Sequence, residues 1–236
     1  YSRIIDDTMA HTLNRLSTRT KNGTLNTNTE VHQFLDYCAT HPDATKLYKA
    51  SDMILSIDSD AAYLVEPEAR SRAAGYFYLG NADGKLINGS IHVLAKTIKH
   101  VCSSVAEAEI AALFMNARAA LPLRVALSEM GHPQPATKIK TDNATANGII
   151  NGNVKQNRSK GIDMRFYWLQ DRVQQQQFDV YWAPGAINLA DYFTKLHPPT
   201  HHIALRPIYL YDPHLRLSMQ GCIEILQMRA KPKVST

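Results

Sequence analysis

The chain is short of cysteine, of long apolar runs and of acid relative to base, and each shortage excludes something. Cys38, Cys102 and Cys222 are odd in number, far apart and without a C-x-x-C pair. That set argues against a disulfide framework or a cysteine zinc site and fits a reducing compartment. No uninterrupted run reaches the roughly 18 apolar residues of a membrane helix, so no span is expected. A basic-then-apolar leader is missing, and the sequence opens on Tyr1 rather than Met. It therefore reads as a piece of a longer or processed product. What is present is a 44% hydrophobic, 20% charged composition over 236 residues, enough to bury a real core.

The net charge of +5 is unevenly placed. Lys138, Lys140, Lys155, Arg158, Lys160, Arg165 and Arg172 face only Asp142, Asp163 and Asp171 within one stretch. Such a segment suits a phosphate backbone, and a solvated surface loop accounts for it equally well.

Along the chain, helical patterns cover roughly 4–16 and 30–39, with the polar tract 17–29 reading as a linker. From Lys46 the character changes to short strands at 53–58, 73–79 and 89–98, the pattern of an antiparallel meander. Ser104-Val-Ala-Glu107 is a capping box opening a long helix that Pro122 should kink and Gly131-His-Pro133 should end. A strand at 137–141, a short helix at 144–150, a helix at 163–175, a strand at 178–182 and a last helix at 189–196 follow. The order predicts a mixed α/β sheet of three antiparallel strands plus two added through helical crossovers. The tail from His197 carries Pro198, Pro199 and Pro207 and little periodicity.

Two of these strands end in aspartate, Asp58 and Asp142. If they lie parallel and adjacent, both carboxylates emerge at the sheet edge where open α/β sheets bind ligands. On the long helix, Glu107 and Glu109 lie about 200° apart, so only one can enter a shared site. Glu107 is explained by the capping box, whereas Glu109 has no local partner and lies toward the sheet. Asp191 fits an N-terminal acid favoured by a helix dipole. Four converging carboxylates repel one another and are tolerable only with cations; oxygen ligands without Cys or His suit Mg²⁺ or Mn²⁺. Two such ions about 3.5–4 Å apart clamp the attacking and leaving oxygens of a phosphoryl transfer.

The order Asp58, Glu109, Asp142, Asp191 resembles the D-E-D-D set of ribonucleases H. The strings Ser103-Ser-Val-Ala-Glu-Ala-Glu109, Thr141-Asp-Asn143 and Leu189-Ala-Asp-Tyr-Phe-Thr-Lys195 resemble the ribonuclease H domain of copia-type LTR-retrotransposon polyproteins. The resemblance covers about 53–196. It implies a ribonuclease H-like domain at 51–196, preceded by a helical remnant at 1–50 resembling the end of a reverse transcriptase, with a C-terminal tail at 197–236. It implies a two-metal nuclease cutting the RNA strand of an RNA–DNA hybrid to 5′-phosphate and 3′-hydroxyl ends, Asp58 bridging both ions. The reverse transcriptase portion would be its partner and the setting intracellular, in the cytoplasm or nucleus. Ser59, Ser104 and Asn143 are candidate 2′-hydroxyl contacts, and Lys155, Arg158, Lys160 and Arg165 candidate phosphate contacts. The mobile histidine that cellular ribonucleases H place before the last aspartate is missing from 184–190. Two rivals are an inactive nucleic-acid-binding or scaffold module and a DDE integrase. The latter needs a final glutamate after the second aspartate, whereas here Glu109 precedes Asp142. Trp168 and Trp182 read as core.

Overall fold

The computed structural model describes residues 1–152 and 163–211. Five strands form one sheet in the order β3-β2-β1-β4-β5: β1 (Ile54–Glu66), β2 (Arg70–Gly80), β3 (Ser90–Thr97), β4 (Thr137–Thr141) and β5 (Phe178–Trp182). The first three pair antiparallel, and β4 joins β1 and then β5 in parallel. This is the mixed α/β sheet expected from the sequence, three antiparallel strands with two parallel strands added through helices. The long helix α3 (Val105–Glu129) follows β3, α4 (Ala144–Ile150) and α5 (Asp163–Gln174) join β4 to β5, and α1 (Ala10–Thr18) and α2 (Leu25–Thr40) precede the sheet.

Alternating residues of the central strands feed two cores. Leu55, Ile57, Phe77, Ile139 and Val180 meet α3, α4 and α5 on one face. Tyr76, Tyr78 and Val93 meet Leu189, Tyr192, Phe193 and Tyr209 on the other. With both faces covered, β2 is buried along almost its whole length. By length and composition α3 could cross a membrane. Here its apolar residues Ala108, Ile110, Leu113 and Ala117 are spent on the sheet.

Several boundaries differ from the sequence expectation. The first strand runs on through Ala61-Ala62-Tyr63 to Glu66, so Asp58 lies in its middle rather than at its end. The polar tract gives way to α2 already at Leu25, because Thr24 and Thr27 form a reciprocal cap there. Pro122 does not interrupt α3, which continues to Glu129; Gly131, at φ +89°, follows its end. In place of a helix at 189–196 there is a 3-10 turn, Asp191–Phe193, preceded by another at Gly185–Ile187. Three-residue hydrogen-bonded turns leave Leu189, Tyr192 and Phe193 free to plug the second core. Beyond His197 the chain forms α6 (Pro199–Tyr209), its first residue a proline whose missing N–H costs nothing at that position.

The N-terminal residues are fastened to this sheet by buried polar contacts. Asp7 pairs with Lys46 at 2.6 Å and accepts from Ser90 of β3. Asp6 accepts from Tyr37 at 2.9 Å, and Tyr37 in turn accepts from Arg206 of α6 at 3.0 Å. Fully buried Arg72 donates to Asn14 of α1 at 2.9 Å and pairs with Glu66. Lys140, counted above with the phosphate-seeking bases, is instead buried under the sheet edge. Trp168 packs partly buried against the core, whereas Trp182 is about half exposed.

One close approach sets how α3 sits. Asn116 donates to Ser59 at 2.9 Å and to the Ala74 carbonyl at 2.8 Å, directly over Gly75. A Cβ on Gly75 would overlap the Asn116 amide and touch the Phe77 ring. Gly75→Ala is therefore expected to destabilise the fold by about 1–3 kcal/mol, as overpacking does. Urea unfolding checks this, and an unchanged midpoint contradicts it.

Candidate active site

The parallel register of β1 and β4 decides which acids meet. Their pairs run Ser56 with Lys138, Ile57 with Ile139 and Asp58 with Lys140. Two residues further along each strand come Asp60 and Asp142. Asp60 takes the position the sequence reading gave to Asp58. Carboxylate oxygens of Asp60, Glu109 and Asp142 all lie within 4.8 Å of one another. They arrive from the centre of β1, the first turns of α3 and the end of β4.

Each acid is held by its own local structure. Glu109, on the sheet-facing side of α3, accepts from the Ala61 amide at 3.2 Å. Asp60 accepts from the Thr194 hydroxyl at 2.8 Å, and that hydroxyl also bonds the Asp191 carbonyl at 2.8 Å. Asp142 is half-buried; Trp182 donates its indole N–H to the Asp142 carbonyl at 2.9 Å. Gly185 lies so close that a side chain there would strike the Asp142 carboxylate. Asp191 opens the 3-10 turn Asp191–Phe193, and its carboxylate binds Lys195 at 2.5 Å. Its charge still reaches Asp60 and Asp142.

Glu107 separates from Glu109 as the helix phase requires. Ser104 Oγ caps the Glu107 amide at 3.1 Å, but the Glu107 carboxylate reaches back to the Ser103 amide at 2.6 Å, one residue beyond a standard capping box.

Asp58 is placed elsewhere. Its carboxylate pairs with Lys140 at 2.7 Å and accepts from the Leu189 amide at 2.9 Å, with both side chains almost wholly buried. Burial pushes the Asp58 carboxyl up, while Lys140 and the Leu189 amide pull it down. Lys140 also donates to the Ile187 carbonyl at 2.7 Å. Asp58 and Lys140 thus clamp the segment leading to Asp191, and Asp58 is outside the group of carboxylates that come within 4.8 Å of one another. The sequence contained one hint, that Asp58 does not end its strand. The apolar run Ala61-Ala62-Tyr63-Leu64-Val65 extends the strand and moves its centre past Asp58.

Of the candidate substrate contacts, Ser59 is fully buried beneath Asn116 and has no exposed surface to offer. Ser104 and Asn143 are helix caps, Asn143 accepting from the Ala146 amide at 2.8 Å. Arg165 lies 2.7 Å from the His100 ring and over the face of Phe114. Lys155, Arg158 and Lys160 lie outside the described residues.

Electrostatically the cluster is overloaded with negative charge. Burial, then Asp60, then Asp142 push Glu109 up to about 9. Burial and the Asp191 charge push Asp60 up to about 6. Burial also raises Asp142. Oxygen donors from three elements, desolvated and mutually repelling, fit a hard divalent cation.

No protein-family model matches the chain. The sequence is 26% identical over 151 residues to the Retrovirus-related Pol polyprotein from transposon TNT 1-94 of Nicotiana tabacum. That match takes in 64% of this chain and 11% of the polyprotein, so the chain spans about a tenth of the curated relative's length. Among solved structures, it is similar to the N-terminal RNase H domain of a Mycobacterium tuberculosis protein fused to maltose-binding protein. That likeness has 16% identity and TM-score 0.43, over 60% of this chain and 91% of that one. LC11-RNase H1 in complex with an RNA/DNA hybrid is similar at 13% identity and TM-score 0.45, over 59% and 92%. The Prototype Foamy Virus protease–reverse transcriptase is similar at 12% identity and TM-score 0.35, over 82% and 23%.

The raised acids give a signed pH prediction. In chelator, folded Glu109 and Asp60 hold protons that the unfolded chain has released above about pH 4–4.5. Their contribution to stability is full at low pH and is lost as pH rises toward about 9. The melting temperature in chelator should fall from pH 5 to pH 9, and Glu109→Gln should flatten that fall. Mg²⁺ should raise it more at pH 8 than at pH 5. Parallel profiles for wild type and Glu109→Gln contradict the assignment.

Proposed function

We propose that this chain is a ribonuclease H-type hydrolase that cuts the RNA strand of an RNA–DNA hybrid during retroelement reverse transcription. The observation that carries the proposal is the convergence of Asp60, Glu109 and Asp142, with Asp191 beside them, at the edge where β1 and β4 run parallel. Asp60, Glu109, Asp142 and Asp191 would hold Mg²⁺, with Mn²⁺ as an alternative, as a pair of ions. Bound there, the metal supplies an acidified water and charge stabilisation for the departing 3′-oxygen.

The chain's own residues prepare this chemistry. Thr194 orients Asp60 through one hydroxyl and ties it to the turn that presents Asp191. Burial keeps Asp60 and Glu109 poorly hydrated, so a divalent cation, displacing their protons, would compensate their charge in place of water. Asp142 and Asp191 are the more open pair, on the side from which a phosphodiester could approach. Ser104, Asn143 and Arg165 remain candidate contacts to the hybrid, as does the basic segment at Lys155, Arg158 and Lys160. Products would carry 5′-phosphate and 3′-hydroxyl ends. The partner would be the reverse transcriptase portion of the same polyprotein, and the setting intracellular. An inactive binding or scaffold module is the second reading; the intact acid cluster favours the nuclease.

The test separates two aspartates that lie two residues apart. Asp60→Asn should lower Mg²⁺-dependent cleavage of a labelled hybrid by at least about a hundredfold, with little change in melting temperature. Asp58→Asn leaves the Lys140 ammonium buried without its counter-charge, and should cost about 3–5 kcal/mol of stability. An active Asp60→Asn variant would refute the site. A fully stable but inactive Asp58→Asn variant would return the role to Asp58.

A further inference from the structure

The nuclease reading uses Asp191 but leaves the next charged residue of its motif, Lys195, without a role. Two lysines each pair with an aspartate at this edge, and they differ in kind. Lys140 is buried, bonded to Asp58 and to the Ile187 carbonyl, and fixed. Lys195 is half exposed and, among the described residues, is hydrogen-bonded to Asp191, four residues earlier and itself about half exposed. Short turns, not a long helix, carry both residues, so the four-carbon stem of Lys195 can turn its head without disturbing a packed element.

The charge of the other acids also acts on that head. Partial burial lowers the affinity of the Lys195 ammonium for its proton, but the Asp191 hydrogen bond and the charges of Asp191, Asp60 and Asp142 outweigh it. The Lys195 ammonium is thus acted on by three of the four acids.

We propose that Lys195 is a tethered cation that holds Asp191 in the metal-free chain and, when a divalent ion takes Asp191, turns to a phosphate oxygen of the bound strand. The inference rests on the nuclease reading and adds a substrate-contacting residue to it. The same charge serves twice. It limits repulsion within the empty cluster, and it is released at the moment the cluster acquires metal. A lysine ammonium suits this exchange better than a guanidinium, because it is a compact point charge without a fixed two-pronged geometry. The segment before Asp191 has no histidine, and Lys195 is the basic residue that the structure pairs with Asp191.

The experiment is a Mn²⁺ titration of the full chain without nucleic acid, for wild type, Lys195→Met and Asp60→Asn, followed by hybrid cleavage at saturating Mn²⁺. Lys195→Met removes the competing charge and keeps the stem. It should bind Mn²⁺ about threefold more tightly, the scale of one exposed ion pair. The same variant should cleave the hybrid at least about tenfold more slowly and with a raised KM, since its phosphate contact is lost. Unchanged or weaker Mn²⁺ binding by Lys195→Met, or wild-type cleavage by it, overturns the proposal while leaving the nuclease reading intact. If wild type and Asp60→Asn bind Mn²⁺ alike, the metal site itself is misassigned and both fall.

Discussion

The buried ion pair between Asp58 and Lys140 is the interaction on which the geometry of this edge depends. It joins the two central parallel strands, and each partner also holds the segment that follows β5. Asp58 accepts from the Leu189 amide, and Lys140 donates to the Ile187 carbonyl. The 3-10 turn that presents Asp191 begins two residues after Leu189. A buried pair of this kind contributes little net stability over an apolar pair, because desolvating both charges offsets most of their attraction. Its value here is positional: it sets the register of β1 against β4 and the height of the Asp191 turn together.

Given that register, the acidic cluster follows. Successive outward positions on β1 are occupied by Asp58 and Asp60, one closing the clamp and the other facing Glu109 and Asp142. The cluster is costly without a cation, as the raised Glu109 and Asp60 carboxyls record. Such a cluster suits a strongly charged, oxygen-seeking ion. Asn116 and Gly75 complete the arrangement from the opposite face, bringing α3 close enough for Glu109 to reach the Ala61 amide.

Much of this was legible in the sequence. The βββ-α-β-α-α-β order, the spans of β4, α4 and β5, and the opposed roles of Glu107 and Glu109 all follow from periodicity, caps and helix phase. What was misplaced has specific physical causes. Ser-Ile-Asp-Ser-Asp offers two aspartates of the same strand parity, and choosing between them needs the partner strand's register, which is tertiary information. Lys140 looked like a surface base because nothing local shows that Asp58 lies beside it. The turns around Asp191 looked helical because Leu189, Tyr192 and Phe193 fall at helix-like spacing, although their burial comes from packing on Tyr76 and Tyr209. The anchoring of residues 1–50 through Asp6, Asp7 and Asn14 was equally invisible, since each contact spans a long stretch of chain.

The central claim is that Asp60, Glu109 and Asp142, and not Asp58, form a divalent-cation site. Crystals soaked in Mn²⁺ and measured at an anomalous wavelength test it most directly. The account predicts an anomalous peak about 2.0–2.3 Å from carboxylate oxygens of these three residues, with Asp58 still bound to Lys140. Manganese coordinated by Asp58, or no anomalous peak at these three carboxylates, would contradict it.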